Sequence, residues 1–315
     1  MSGRVLTLGE TMALARSEAP GPLAHARSLA LGTGGAESNV AVALARLGTP
    51  VTWVGRVGAD SLGELVLREL RAEGVDVAAV VDPGAPTGLM VKERRTGERS
   101  RVWYYRAGSA GSRLHRDDVP RGALAGAALL HVTGITPALS ASAADAVEHA
   151  VDAARAAGAL VSLDVNHRSA LWPAHEAGPV LARLARRVDV VFAGDDEAAM
   201  LVGPREDPLE LAHALAALGP AQAVVKLGAL GAVAVVDGAE HRRAAVPVTV
   251  VDTVGAGDGF VAGYLAELLR GCDVEQRLRT AVRVGAFACQ VPGDWEGMPR
   301  RAELALLDAK DPVSR

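Results

Sequence analysis

The sequence predicts an α/β fold, with a mainly parallel central sheet covered by helices and a small β-sheet lid. Three observations predict it. From residue 128 onward β-like and helix-periodic runs alternate, the pattern of strand–helix–strand crossovers. Half of the 315 residues are apolar, ample for one large core. Residues 86–106 interrupt the alternation with two β-like runs around a turn, charged on one side and short of core residues. That piece reads as a sheet laid over a site. With no repeat and no low-complexity linker, residues 1–315 form a single expected domain, its lid drawn from segments near 11–33 and 86–108.

The elements follow in order. Val5 to Leu8 reads as a first strand, followed by a loop and the Gly-rich stretch Leu31-Gly32-Thr33-Gly34-Gly35-Ala36-Glu37-Ser38-Asn39. Val40, Ala43, Leu44 and Leu47 then recur at helical spacing, with Gly48 and Pro50 as stop signals. Val51 to Val57 is a strand. Asp60 or Ser61 caps a helix carrying Leu62, Leu65, Val66 and Leu70 that ends at Gly74. Leu89 to Arg94 and Arg99 to Arg106 flank the turn Arg95-Thr96-Gly97-Glu98 as a hairpin. Strands are expected at 129–133, 160–166, 189–192, 223–227 and 232–236. Helices are expected at 140–157 and 175–187, as two short pieces after 192, and starting at 258, 273 and 300. Val246 to Val251 is a further β-like run.

Composition excludes several function classes. The formal net charge is −4, with no basic stripe or polybasic tail, so neither nucleic acid nor an anionic membrane is an expected partner. The N-terminal MSGRVLTLGE lacks the apolar core of a signal peptide, and no stretch approaches the roughly 18 apolar residues of a membrane span. A cytoplasmic location is expected. Cys272 and Cys289 fall in predicted helical segments and read as small buried hydrophobes. The eight His show no pair at ligand spacing, which argues against zinc. Cationic residues are nearly all Arg; the three lysines are Lys92, Lys226 and Lys310.

The strongest local signal is Asp252-Thr253-Val254-Gly255-Ala256-Gly257-Asp258-Gly259-Phe260, between the β-like run at 246–251 and a helix carrying Val261, Leu265, Leu268 and Leu269. Small residues at a helix N-terminus let backbone N–H groups point at an anion, and the helix dipole adds to the attraction. A carboxylate in that turn would repel a phosphate. Its chemical use is to accept a proton from a hydroxyl brought beside one. Gly255, Ala256 and Gly257 thus form a candidate anion hole and Asp258 a candidate general base. The local alternative is a Gly-rich turn whose Asp caps the helix. A dinucleotide fingerprint would need Gly where Phe260 stands, and no lysine has the flanking residues of a Walker A loop.

This segment resembles the signature of the ribokinase-like (PfkB) carbohydrate kinases. Gly34-Gly35, Asn39, Ala41, Gly48 and Gly58 fall at the spacing of that family's other signature. Glu37 stands where the general pattern has a small residue, and the variant GGAESN is similar to that of 2-keto-3-deoxygluconate (KDG) kinases. So are Tyr104-Tyr105-Arg106 followed by Ser109-Ala110, and Asp164-Val165-Asn166-His167-Arg168 followed by Leu171-Trp172. The resemblance covers essentially the whole chain and implies a three-layer ribokinase-like fold that transfers phosphate from ATP to a small sugar acid.

The residues fit that implication to different degrees. Gly34 and Gly35 bring backbone close to a polar ligand, and Asn39 offers both donor and acceptor to sugar hydroxyls. On a strand, Tyr104 and Arg106 share a face, and a guanidinium recognises carboxylates in a planar, two-pronged way. By resemblance Tyr104, Arg106, Arg168 and Asp294 contact the sugar. An edge hairpin with surface arginines is the local alternative. Lys226-Leu227-Gly228-Ala229-Leu230-Gly231 looks like the nucleotide loop, which assigns Lys226, Gly228 and Gly231, together with Asn166, to ATP; a plain β-turn is the alternative. Glu197, in Gly194-Asp195-Asp196-Glu197, resembles the Glu that organises Mg²⁺ in the family, although Gly194 replaces the usual Asn. An acidic helix start explains the same residues. Exposed lid strands could pair with the lid of a second copy, so a homo-oligomer stays open as a partner. The rival activities are a neutral-sugar kinase, a nucleoside kinase, a non-catalytic sugar-binding regulator and a dehydrogenase.

Overall fold

Period-2 alternation decides which side each strand serves. In the computed structural model, which describes residues 3–96, 99–120 and 122–308, Leu6 and Leu8 of β1 (Arg4–Leu8) point into one apolar cluster. Val5 points into another on the opposite face. The strands that follow are β2 (Met12–Arg16), β3 (Ala30–Gly34), β4 (Val51–Gly58), β5 (Asp76–Asp82), β6 (Leu89–Arg94) and β7 (Ser100–Tyr105). They continue with β8 (Ala127–Thr133), β9 (Leu160–Asp164), β10 (Val190–Gly194), β11 (Gln222–Lys226), β12 (Ala232–Val236) and β13 (Ala239–Arg243). Nine of these form one sheet in the order β13-β12-β11-β10-β9-β8-β1-β4-β5. It is parallel from β11 to β5 and closes at one edge with the antiparallel hairpin β12–β13.

Helices cover both faces, as a parallel sheet buried on both sides requires. On one side lie α1 (Ala36–Arg46), α2 (Ser61–Ala72), α7 (Ala256–Leu269) and α8 (Val274–Ala288). On the other lie α3 (Ala141–Ala156), α4 (Ala174–Ala185), α5 (Asp195–Val202) and α6 (Pro208–Ala216). Helix starts carry the caps the sequence advertises: Asp60 accepts from Gly63 N–H, Ser140 from Ala143 N–H and Asp273 from Gln276 N–H. Gly263 lets α7 lie against α8, since a Cβ there would stand 2.9 Å from the Ala281 Cα. Among the described residues no helix is long and apolar enough to cross a membrane.

The lid is a separate sheet of order β3-β2-β6-β7, in which β2 and β6 run parallel and the outer pairs antiparallel. Besides the hairpin read at 89–106, it draws on the expected lid segment near 11–33. Residues 12–16 and 30–34 supply two further strands, and the start of the Gly-rich stretch is itself β3. The predicted turn residues Gly97 and Glu98, and Lys310, lie outside the described residues. β5 and β13 are additional to the expected strands. Val246–Val251 is not a strand: it has no ladder partner, and Val251 and Asp252 donate to the Cys289 carbonyl instead. The segment from Arg301 to Asp308 is a 3-10 helix. Cys272 lies in the turn between α7 and α8, Cys289 caps the end of α8, and both are half-buried thiols.

Candidate active site

The carboxyl ends of β1, β8, β9 and β11 deliver Glu10, Ile135, Asn166 and Lys226 to one edge of the sheet, where open α/β sheets place ligands. α7 points its N-terminus at the same edge. Its cap, Gly255, has φ +76°, and a Cβ there would stand 1.8 Å from the Asp294 carbonyl oxygen, so only glycine fits. Ala256 N–H turns back to the Thr253 carbonyl at 3.3 Å. The amides of Gly257 and Asp258, in the first turn, have no carbonyl to reach within their own helix. Both amides stand at the helix start beside the cavity.

A cavity of about 700 Å³ opens between this helix start and the lid. Asp258 lines it and receives Asn39 Nδ2–H at 2.8 Å. Burial pushes the Asp258 carboxyl up to about 7; the Asn39 hydrogen bond, Arg168 and Lys226 pull the other way, and Asp164 pushes further up. A carboxyl that titrates near neutrality is suited to accepting a proton from an alcohol. Asp294, across the cavity, is likewise pushed up to about 7 by burial, with Lys92 opposing. Gly34 makes room for it, since a Cβ at that position would lie 2.2 Å from Asp294 Oδ2.

The lid side brings Tyr104 and Arg106 to the same wall, with the guanidinium 5.9 Å from the Tyr104 ring centroid. Arg106 is not a free fork. Its Nε and Nη2 both engage Glu10 Oε2, at 2.8 and 2.6 Å, and Ser109 Oγ donates to the other oxygen of Glu10. Arg168 lines the cavity from the opposite loop and is exposed, its Nη1 donating to the His167 carbonyl at 3.1 Å. That loop begins at Asn166, which takes a left-handed φ of +39°. Glu37, fully buried in the cavity floor, accepts from Thr133 and Thr136 hydroxyls at 2.7 and 2.6 Å, and burial raises its carboxyl.

A second cavity, about 560 Å³, lies on the other side of the α7 start and shares Lys226, Thr253 and Gly257 with the first. Its walls are apolar: Ala245 to Val248, Val250, Phe260, Val282, Ala286. Gly228 and Gly231 form its mouth; Gly231, at φ +105°, lies so near the Arg243 carbonyl that a Cβ would stand 2.0 Å from it. Lys226 holds Asp164 with Nζ–oxygen distances of 2.6 and 2.7 Å. Burial works against its charge, but Asp164 and Glu197 outweigh it and keep the ammonium protonated. A Cβ on Gly257 would lie 3.7 Å from that ammonium, so cation and amide donors face one spot.

The structure thus gathers Gly35, Asn39, Tyr104, Arg106, Arg168, Asp294, Gly255, Gly257 and Asp258 around the first cavity, with Gly34 behind Asp294. It gathers Lys226, Gly228, Gly231 and Ala256 around the second. Asn166 sits on the wall of the first cavity and not of the second. Glu197 lines neither: its two carboxylate oxygens take Gly194 N–H and His167 N–H, capping α5 and pinning the 166–168 loop. Sequence reasoning missed Glu10, Glu37 as a buried floor residue, and the Lys226–Asp164 pair. Nothing local marks Glu10; Asp164 could have been found as the acid ending a strand just before Asn166.

A helix N-terminus that borders two cavities, one acid-lined and one largely apolar, with a near-neutral carboxyl beside it, is an arrangement suited to moving a phosphoryl group between two ligands. The pfkB family carbohydrate kinase profile matches residues 2–301. A 2-dehydro-3-deoxygluconokinase of Bacillus subtilis is 39% identical over 305 residues, covering 95% of this chain and 94% of the relative. One from Thermoproteus tenax is 39% identical over 308 residues, covering 96% and 93%. The crystal structure of 2-dehydro-3-deoxygluconokinase from Thermotoga maritima superposes with a TM-score of 0.87 at 27% identity, over 98% of each chain. An Escherichia coli protein described as a Ribokinase II, solved with ATP and Mg²⁺, gives a TM-score of 0.89 at 25% identity, over 97% of this chain and 99% of that one. The chain belongs to the PfkB family of carbohydrate kinases. It is an ATP-dependent sugar kinase on a ribokinase-like fold.

Proposed function

We propose that the chain phosphorylates the terminal hydroxyl of 2-keto-3-deoxygluconate (2-dehydro-3-deoxygluconate) to give 2-keto-3-deoxy-6-phosphogluconate. The observation that carries the mechanism is the position of Asp258 on the wall of the first cavity, hydrogen-bonded to Asn39 and next in sequence to Gly257, which lines both cavities. The sugar lies in the first cavity, its carboxylate toward Arg168 and Arg106, with Tyr104, Gly34, Gly35, Asn39 and Asp294 around its hydroxyls. The adenosine part of ATP takes the apolar second cavity, with Lys226, Gly228 and Gly231 along the phosphates and Asn166 facing them from the first cavity.

Asp258 accepts the hydroxyl proton as the sugar oxygen bonds to the γ-phosphorus. The bond from that phosphorus to the β-phosphate oxygen breaks, and ADP leaves. The N–H groups of Gly257 and Asp258, with Lys226, stabilise the charge on the group in flight; such preorganised donors are each worth about 3 kcal/mol. Mg²⁺, when bound with the nucleotide, would neutralise charge on the phosphate oxygens. Glu197 is our candidate to orient its water shell, since each carboxylate oxygen keeps a lone pair beyond the amide it accepts.

ATP consumption measured with 2-keto-3-deoxygluconate, gluconate, fructose, ribose and adenosine tests the substrate assignment. A clear preference for the keto-deoxy acid supports it; a preference for a neutral sugar overturns it. One observation favours that second reading: Glu10 already neutralises Arg106, which leaves Arg168, of these two arginines, to meet a substrate carboxylate.

A further inference from the structure

Lys92 is a lid residue that touches neither cavity. It stands in β6, opposite Arg16 of β2 and Val102 of β7, on the same face of the lid as Met90 and Tyr104. It is 5% exposed. A buried ammonium costs several kcal/mol unless a counter-charge meets it. Here the counter-charge is Asp252, 160 residues further on, with which Lys92 forms an ion pair.

Asp252 opens the loop that leads into α7. Its Oδ1 accepts Val254 N–H at 3.2 Å, its Oδ2 accepts Gly293 N–H at 3.4 Å, and its own N–H reaches the Cys289 carbonyl at 3.2 Å. One carboxylate therefore joins three segments: the lid, the loop carrying the amide donors, and the loop carrying Asp294. The charge on Lys92 also pulls the Asp294 carboxyl downward. No other lysine lies in the lid strands, and the arginines nearest in register, Arg16 and Arg94, are on the same face.

We infer that Lys92 is a positioning residue. Its ion pair with Asp252 transmits the placement of the sugar-covering sheet to the amides that receive the phosphoryl group. An interaction of this kind acts on the transition state more than on the bound sugar, because it sets donor geometry at the moment of transfer. The inference rests on the kinase reading but not on which sugar is used. Variants are therefore assayed with whichever sugar the unaltered enzyme prefers, so a failed substrate assignment leaves this test standing.

The experiment compares Lys92→Met, Lys92→Arg and the double variant Lys92→Met with Asp252→Asn, each assayed at least about ten degrees below its own Tm. Lys92→Met is expected to lower kcat at least tenfold while the KM for the sugar changes less than threefold. Lys92→Arg should recover part of kcat, because the charge is kept while the ammonium's single-point geometry is lost. The double variant removes both charges, so it keeps the inference testable if Lys92→Met alone fails to fold. Its kcat should stay at least tenfold below that of the unaltered enzyme. Near-normal kcat in Lys92→Met would overturn the inference. So would full recovery in the double variant, which would reduce the pair to charge compensation in the fold.

Discussion

The Asn39 side-chain amide donates to Asp258 Oδ2 at 2.8 Å, joining the starts of α1 and α7 across 219 positions of sequence. The two glycine-rich motifs are thereby one device: the first holds the carboxylate that the second presents.

Because an amide donor favours the ionised carboxylate, Asn39→Ala should push the Asp258 carboxyl further above about 7. The acid limb of kcat/KM then moves to higher pH, so the deficit is largest at pH 6 and shrinks toward about pH 9. A pH–rate profile with an unmoved acid limb would remove Asn39 from control of the base.

Asp258→Asn should lower kcat roughly a hundredfold or more, since no proton acceptor remains at the hydroxyl. It should also raise stability at high pH. The folded-state value of about 7 exceeds the unfolded 3.8, so folding favours the protonated form. That advantage is full below 3.8 and is lost as pH rises through 7. At pH 8 the natural residue is an ion in a desolvated place, and the amide is not. Thermal melts at pH 5 and pH 8 check the sign: the gain in Tm belongs at pH 8.

The two arginines should separate in their effects. Arg168→Ala should raise the KM for the sugar acid roughly tenfold or more, with little change in Tm, because Arg168 is exposed. Arg106→Ala should raise KM too, and should in addition lose about 3–5 kcal/mol of stability by leaving Glu10, 1% exposed, as an uncompensated ion. Equal melting points for the two variants would contradict the structure.

Gly255→Ala should be far more damaging than Gly34→Ala. At Gly255 both the left-handed backbone and a carbonyl 1.8 Å away oppose a methyl group. At Gly34 the obstacles are the ends of the Asp294 and Met90 side chains, which can turn aside. Gly34→Ala should therefore fold and show a raised sugar KM, while Gly255→Ala should lose activity and soluble yield together.

What could be read in advance divides along physical lines. The main sheet was legible because its buried strands and helices carry strong periodic signals, and the start of α7 because a glycine-rich helix start is built from adjacent residues. β3 was not, since Ala30-Leu31-Gly32-Thr33-Gly34 has poor strand propensity; it pairs with β2, and its glycines face Glu296 and Asp294. Val246–Val251 misled in the opposite direction, being rich in β-branched residues but lying beyond the hairpin edge, where it walls the second cavity. Glu10 and Lys92 find their partners 96 and 160 residues away, and pairings at that range leave no local trace.

Lys226, Thr253 and Gly257 border both cavities. The two sites therefore meet at the start of α7. A single inhibitor in which a polyphosphate chain bridges adenosine to the sugar acid could thread the gap, and its affinity would gain from paying the translational cost of binding once.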